Sequence, residues 1–201
     1  MKRWFYAIIG LQLLFLLGQA GKTEVEISRA PIVTLRVVPV DPRSLFMGNY
    51  MALSYDISTI DLSSVPHDPA VESFSYGDKV YVSLTSSKPT ARVKSVNASP
   101  PSGREAPPYL VGSITYRSRN LRQTEPGPGR QRRESAPKPE LSIEYGIERY
   151  FIPETKQDAV NRLAATQWGR TGPVITAEIA VTPGGKGMVR RVLVNGKPLE
   201  Y

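Results

Sequence analysis

The chain has no cysteine, which excludes disulfides, thiolate metal sites and cysteine nucleophiles together. It has one histidine, His67, so a zinc site built from several imidazoles is impossible. Any serine–histidine triad would have to use that single residue. No phosphate loop, dinucleotide fingerprint or metal-binding spacing occurs, so no cofactor is expected. Long helices are limited by 18 prolines in 201 residues. What remains is ordinary globular material: 40% hydrophobic and 22% charged residues, enough for a folded domain plus an anchor. These counts name no reaction.

Location is more legible. Lys2 and Arg3 precede an apolar run from Trp4 to Leu17, broken only by Gln12. Residues 4–20 would span roughly 25 Å as a helix, near the lower limit for crossing a bilayer. Gly18-Gln19-Ala20 offers small residues for signal cleavage after Ala20, whereas Trp4 and Tyr6 resemble interface anchors. The expectation is an N-terminal anchor or signal segment over 1–21. Residues 22–201 then lie outside the cytoplasmic membrane, because the basic pair stays cytoplasmic.

The net charge of +8 is unevenly spread. Lys2 and Arg3 account for two charges. Residues 117–138 hold seven basic and two acidic residues around Pro126-Gly127-Pro128-Gly129, a further +5, which leaves the rest near +1. No aromatic residue follows Tyr116 in this stretch, unlike the interleaving of basic and stacking groups in single-strand binders. The segment at about 117–139 reads as a solvated, disordered insertion, with contact to anionic lipid or an envelope polymer as the alternative and no nucleic-acid role.

Most of the remainder reads as strands. Ile32–Val38 is β-branched and apolar, ending at Pro39 and Asp41-Pro42. Met51, Leu53, Tyr55 and Ile57 alternate with small or polar residues, as do Val80, Val82 and Leu84. Arg92–Asn97 and Leu110–Tyr116 follow. Leu141, Ile143, Tyr145 and Ile147 share one face of a long strand that runs to Ile152, with Gly146 marking a bulge or a close approach. Residues 154–167 have helical spacing. Val174–Val181 and Met188–Val194 flank a glycine-rich hairpin. The fold class expected is mainly β: an N-terminal transmembrane helix, then one antiparallel sheet or partly closed barrel with a single covering helix.

Two dense segments stand apart. In Met47-Gly48-Asn49-Tyr50-Met51-Ala52-Leu53-Ser54-Tyr55, a Gly-Asn corner leads into a strand with tyrosines five apart. The second is Tyr145-Gly146-Ile147-Glu148-Arg149-Tyr150-Phe151-Ile152-Pro153-Glu154. The first resembles the signature of the GDYXXLXY family: Gly48, Tyr50, Leu53 and Tyr55 match, and Asn49 replaces the aspartate. The second is similar to that family's second block. The C-terminal hairpin ending in Val194-Asn195-Gly196-Lys197-Pro198 is also similar. The resemblance implies a membrane-anchored, mostly extracytoplasmic bacterial protein, and no activity, since the family is functionally uncharacterised.

The residues also speak for themselves. Gly48 and Asn49 both tolerate a left-handed backbone. Leu53 and Tyr55 share one face, leaving Tyr50 on the other; the segment reads either as a corner that holds the sheet together or as a groove floored by Tyr50 with Arg43 at its rim. A catalytic carboxylate cannot become asparagine and remain a general base, so Asn49 favours structure or binding over catalysis. Arg149 falls on the apolar side of its strand and needs a partner, with Asp41 or Asp78 available. Tyr150 and Glu148 fall on the opposite side. Glu144 and Glu148 stand about 13 Å apart, too far for a glycosidase pair. His67 reads as a solvated turn residue. No signature supports a Ser44–Lys79 dyad.

The leading expectation is a non-catalytic binding or accessory domain for another integral membrane protein. The alternative is an envelope hydrolase with an ionisable pocket around Arg43, Glu148 and Arg149.

Overall fold

A computed structural model describes residues 2–38, 46–47, 50–85, 89–103, 106–118, 139–151 and 174–198. The expected helix at 154–167 lies outside them, as do Arg43, Gly48, Asn49 and residues 119–138.

The described part is mainly β and its strand pairings are antiparallel. Helix α1 (Lys2–Arg29) is followed by β1 (Ile32–Val38), β2 (Phe46–Met47), β3 (Tyr50–Ala52), β4 (Ser54–Tyr55) and β5 (Thr59–Asp61). A 3₁₀ turn spans Pro69–Ser73. Then come β6 (Lys79–Leu84), β7 (Val93–Asn97), β8 (Tyr109–Arg117), β9 (Glu140–Glu144), β10 (Arg149–Phe151), β11 (Ile175–Val181), β12 (Gly187–Val194) and β13 (Lys197–Pro198).

Three sheets result, with orders β13-β12-β11-β1-β4, β10-β3-β2 and β5-β9-β8-β6-β7. Period-2 alternation builds their inner faces. In β1, Val33, Leu35 and Val37 are buried, and in β11 so are Ile175, Ala177 and Ile179. These join Val80, Val82, Leu110, Ile114, Leu141 and Ile143 in one continuous core.

Helix α1 runs past the expected anchor end at residue 21 through the polar stretch Lys22–Arg29. It meets β11 at its last turn, where Ile27, with Ala30 just beyond the helix, covers Ala180. Its described large apolar side chains, among them Trp4 (78% exposed), Ile8, Leu11, Leu14 and Leu17 (71%), are exposed. Among the described residues no helix is long and apolar enough to cross a membrane.

The long strand expected from Leu141 to Ile152 is divided. β9 ends at Glu144, and the chain bends through Gly146, whose φ is +77°. It re-enters as β10 in a different sheet. Burial keeps its alternation through the bend to Ile147 and breaks on entry to β10, so Arg149 is exposed rather than on the apolar side. Of its suggested partners, Asp78 instead caps its own turn, its Oδ2 accepting from the Ser75 N–H at 2.7 Å. Asp41 lies outside the described residues.

The basic segment begins later than expected. Arg117 belongs to β8, and its Nη1 donates to the carbonyls of Val71 (3.2 Å) and Phe74 (2.9 Å). It is a structural arginine closing the 3₁₀ turn, not part of a solvated run.

Candidate functional site

The two motif segments form the seam of the fold. Within twelve residues, Tyr50–Asp61 contributes β3, β4 and β5, one strand to each sheet. Glu140–Phe151 supplies β9 to one of those sheets and β10 to another. β3 pairs with β10 (Ala52 with Arg149, Met51 with Tyr150, Tyr50 with Phe151), and β5 pairs with β9.

Two tyrosines lock the seam in opposite directions. Tyr55 Oη donates to the Ile147 carbonyl at 2.8 Å, and Tyr145 Oη donates to the Ile57 carbonyl at 2.7 Å. Each ring is buried, at 2% and 7% exposure. Each phenol thus satisfies a backbone acceptor that the bend of the other segment leaves without a ladder partner. Burial, reinforced by the nearby Glu148 carboxylate, pushes both phenols well above their ordinary value, so both remain neutral donors.

Glu148 completes the seam. Its Oε1 accepts from the Tyr145 N–H at 2.6 Å, and its own carbonyl accepts from the Leu53 N–H at 2.7 Å. Leu53, 3% exposed, packs in the core. Gly146 makes the tight turn between Tyr145 and Glu148 possible, because its positive φ suits a residue without Cβ. Tyr150 is half-buried against the core and its phenol is also raised by burial.

The candidate residues therefore divide. Leu53, Tyr55, Tyr145, Gly146 and Glu148 converge on the seam; Arg149 points out to solvent. Arg43, Gly48, Asn49 and the side chain of Tyr50 lie outside the described residues, so the groove floored by Tyr50 is not described.

A cleft of about 500 Å³ lies elsewhere, lined by Ser63, His67, Glu72, Arg117, Ser118 and Pro139 among others. His67 is not the solvated turn residue expected: its side chain is only 21% exposed. Its Nδ1 lies 3.0 Å from the Val65 carbonyl and its Nε2 lies 3.3 Å from Glu72 Oε1. The Val65 carbonyl and then the Glu72 carboxylate raise its pKa. An acceptor faces each ring nitrogen, so both are engaged by the Val65 carbonyl and the Glu72 carboxylate rather than by a serine. Ser63 Oγ is turned to Asp61 instead.

Sequence reasoning missed this grouping because the 3₁₀ turn folds Glu72 back onto His67 and β8 brings in Arg117 from far along the chain. One local signal existed: in Asp68-Pro69 the aspartate caps the turn, accepting from the Ala70 N–H at 3.0 Å, with proline in the first position. No group of three or more acidic or histidine residues that could hold a metal occurs among the described residues.

The profile of the family described as GDYXXLXY protein matches residues 12–192. The chain belongs to this family. The match spans both tyrosine locks, so the motif that names the family coincides in this member with the seam joining the three sheets. No curated protein and no solved structure matches the chain.

Proposed function

We propose that this GDYXXLXY protein is a single-pass protein of the cytoplasmic membrane, held by α1, whose outer β domain is a non-catalytic binding or accessory module for another integral membrane protein. One observation carries the proposal. The described large apolar residues of α1 from Trp4 to Leu17 lie on all sides of its axis and are exposed, so this part of the helix needs an apolar environment that its own domain does not supply. α1 falls short of an ordinary membrane span: its apolar part covers roughly 25 Å against about 30 Å of hydrocarbon, a deficit that bilayers absorb by local thinning. Tethering raises the effective concentration of the domain near the bilayer, so a modest interface with a membrane partner suffices.

The motif favours a non-catalytic role. Tyr55, Tyr145 and Glu148 spend their polar atoms on backbone groups of the seam. The hydrolase alternative needs Glu148 to converge with Arg149 and Arg43, yet Glu148 is held by the Tyr145 N–H and Arg149 is exposed.

Phe151, 54% exposed, is the register partner of Tyr50 and offers an aromatic contact at the seam. A photo-crosslinking residue placed there in cells should yield an adduct with a multipass protein. An adduct yield equal to that from Gly196, with the chain in the membrane fraction, would contradict the partner reading.

A further inference from the structure

Helix α1 enters the β domain without a linker. It remains helical to Arg29, Ile27 and Ala30 seat on Ala180, and Pro31 accepts from the Val181 N–H at 3.0 Å. A flexible tether would let the domain turn freely; a continuous helix docked on a sheet does not. One end of the domain is therefore fixed toward the anchor. That end carries the turn between β11 and β12.

The side chains at this end suit a lipid surface. Ile32, Ala180 and Met188 stand in register on neighbouring strands. Ala180 is covered by the helix, while Ile32 (51%) and Met188 (41%) are exposed on either side of it. This small apolar strip lies at the foot of α1, beside the Ile27 and Ala30 contact. Lys186 and Arg190 are exposed beside it, whereas the nearby Glu178 is paired with Arg191. On the helix, Lys22 and Arg29 balance Glu24 and Glu26. The excess charge at this end is positive.

The spacing also fits. Lys22–Arg29 rises about 12 Å, roughly twice the headgroup layer of about 5–8 Å on one side of a bilayer, which puts the end of the domain just above the headgroups. Basic groups at that height lie within about one Debye length of the lipid charge.

We infer that the end of the domain bearing the Thr182–Lys186 turn, with Ile32 and Met188, rests on an anionic bilayer surface. This inference depends on the membrane anchoring proposed above. It also reassigns the lipid contact once expected of residues 117–138. β8 starts at the turn, where Tyr109 Oη donates to the Pro183 carbonyl (2.9 Å) and the Val111 N–H to the Gly185 carbonyl (2.9 Å). Arg117 lies eight residues further along, about 26 Å away. The root of the basic segment is thus at the opposite end of β8, several Debye lengths from the turn.

The cysteine-free chain permits a clean test. Full-length protein is labelled at Gly184→Cys, where an added Cβ meets nothing within 4 Å, or at Tyr76→Cys, where the native side chain is 82% exposed. Tyr76 precedes Gly77, whose N–H bonds to Ile114 in the distal half of β8. Each sample is mixed with vesicles of phosphatidylcholine containing phosphatidylglycerol and carrying a headgroup-linked quencher. Flotation is scored first; a chain that fails to float contradicts the anchoring itself. In floated protein, quenching at position 184 should exceed that at position 76 several-fold. It should fall when phosphatidylglycerol is omitted or when Lys186→Glu is introduced. Equal quenching at the two positions overturns the inference. Quenching at 184 that ignores both lipid charge and Lys186→Glu overturns its electrostatic basis.

Discussion

Replacing Tyr55 by phenylalanine keeps the buried ring and deletes one hydroxyl. The Ile147 carbonyl then loses the donor that reached it at 2.8 Å. An unsatisfied acceptor at a site this buried costs about 1–3 kcal/mol. For a chain of this size each kcal/mol lowers Tm by about 2–4 °C, so a loss near the middle of that range lowers Tm by roughly 4–8 °C. Tyr145→Phe should behave alike, because it strands the Ile57 carbonyl in the same way.

The two locks tie the same pair of segments from opposite ends, so they should be coupled. Once one is gone, the seam loosens and the other holds less. The double variant should therefore lose less than the sum of the singles, with a coupling of about 0.5–3 kcal/mol. Urea unfolding of the four full-length proteins in detergent, followed by circular dichroism, measures this cycle. Single variants with unchanged midpoints, or strict additivity, would refute the reciprocal lock.

Other expectations follow from the same geometry. Both phenols have pKa values raised by folding, so their contribution is complete below the unfolded value of about 10 and is lost as pH rises beyond it. Alkaline unfolding should begin above about pH 10 and be shallower in the Tyr55→Phe/Tyr145→Phe protein; identical titrations would contradict the burial of these groups. Gly112→Ala places a methyl against Ile143 and within 3.1 Å of the Glu144 carbonyl. It should cost about 1–3 kcal/mol by overpacking β8 on β9, and an unchanged Tm would show that the strands do not approach so closely. The raised pKa of His67 makes its contribution greatest below about pH 6.5 and lost as pH rises through the folded value. Thermal scans should show His67→Gln losing more stability at pH 5.5 than at pH 8; the reverse order would disprove the pairing with Glu72.

Periodicity in the sequence revealed the strands well where a strand stays in one sheet. Ile32–Val38 and Val174–Val181 read as strands because alternate residues face the core, and they became β1 and β11 with minor changes of boundary. The same reasoning failed at Tyr145–Glu148. There the buried set Leu141, Ile143, Tyr145 and Ile147 keeps its period of two through a bend, so the pattern looked like one strand. Side-chain burial persisted while backbone pairing changed sheets, and only Gly146 hinted at it. The motif segments were recognisable as dense, but their reciprocal bonds join residues 92 and 88 positions apart, which no local pattern records. His67 was misread for a similar reason. Its loop looked solvated, yet Glu72 and Arg117 are brought beside it by the 3₁₀ turn and by β8.

The central claim is that α1 tethers this seamed β domain to the outer side of the cytoplasmic membrane. The most direct test exposes cells with an intact cytoplasmic membrane, expressing the Tyr76→Cys protein, to a membrane-impermeant maleimide, then washes the membranes at alkaline pH. The account predicts labelling before lysis and retention of the labelled chain in the washed membranes. Labelling only after lysis, or release of the chain by the wash, would contradict it.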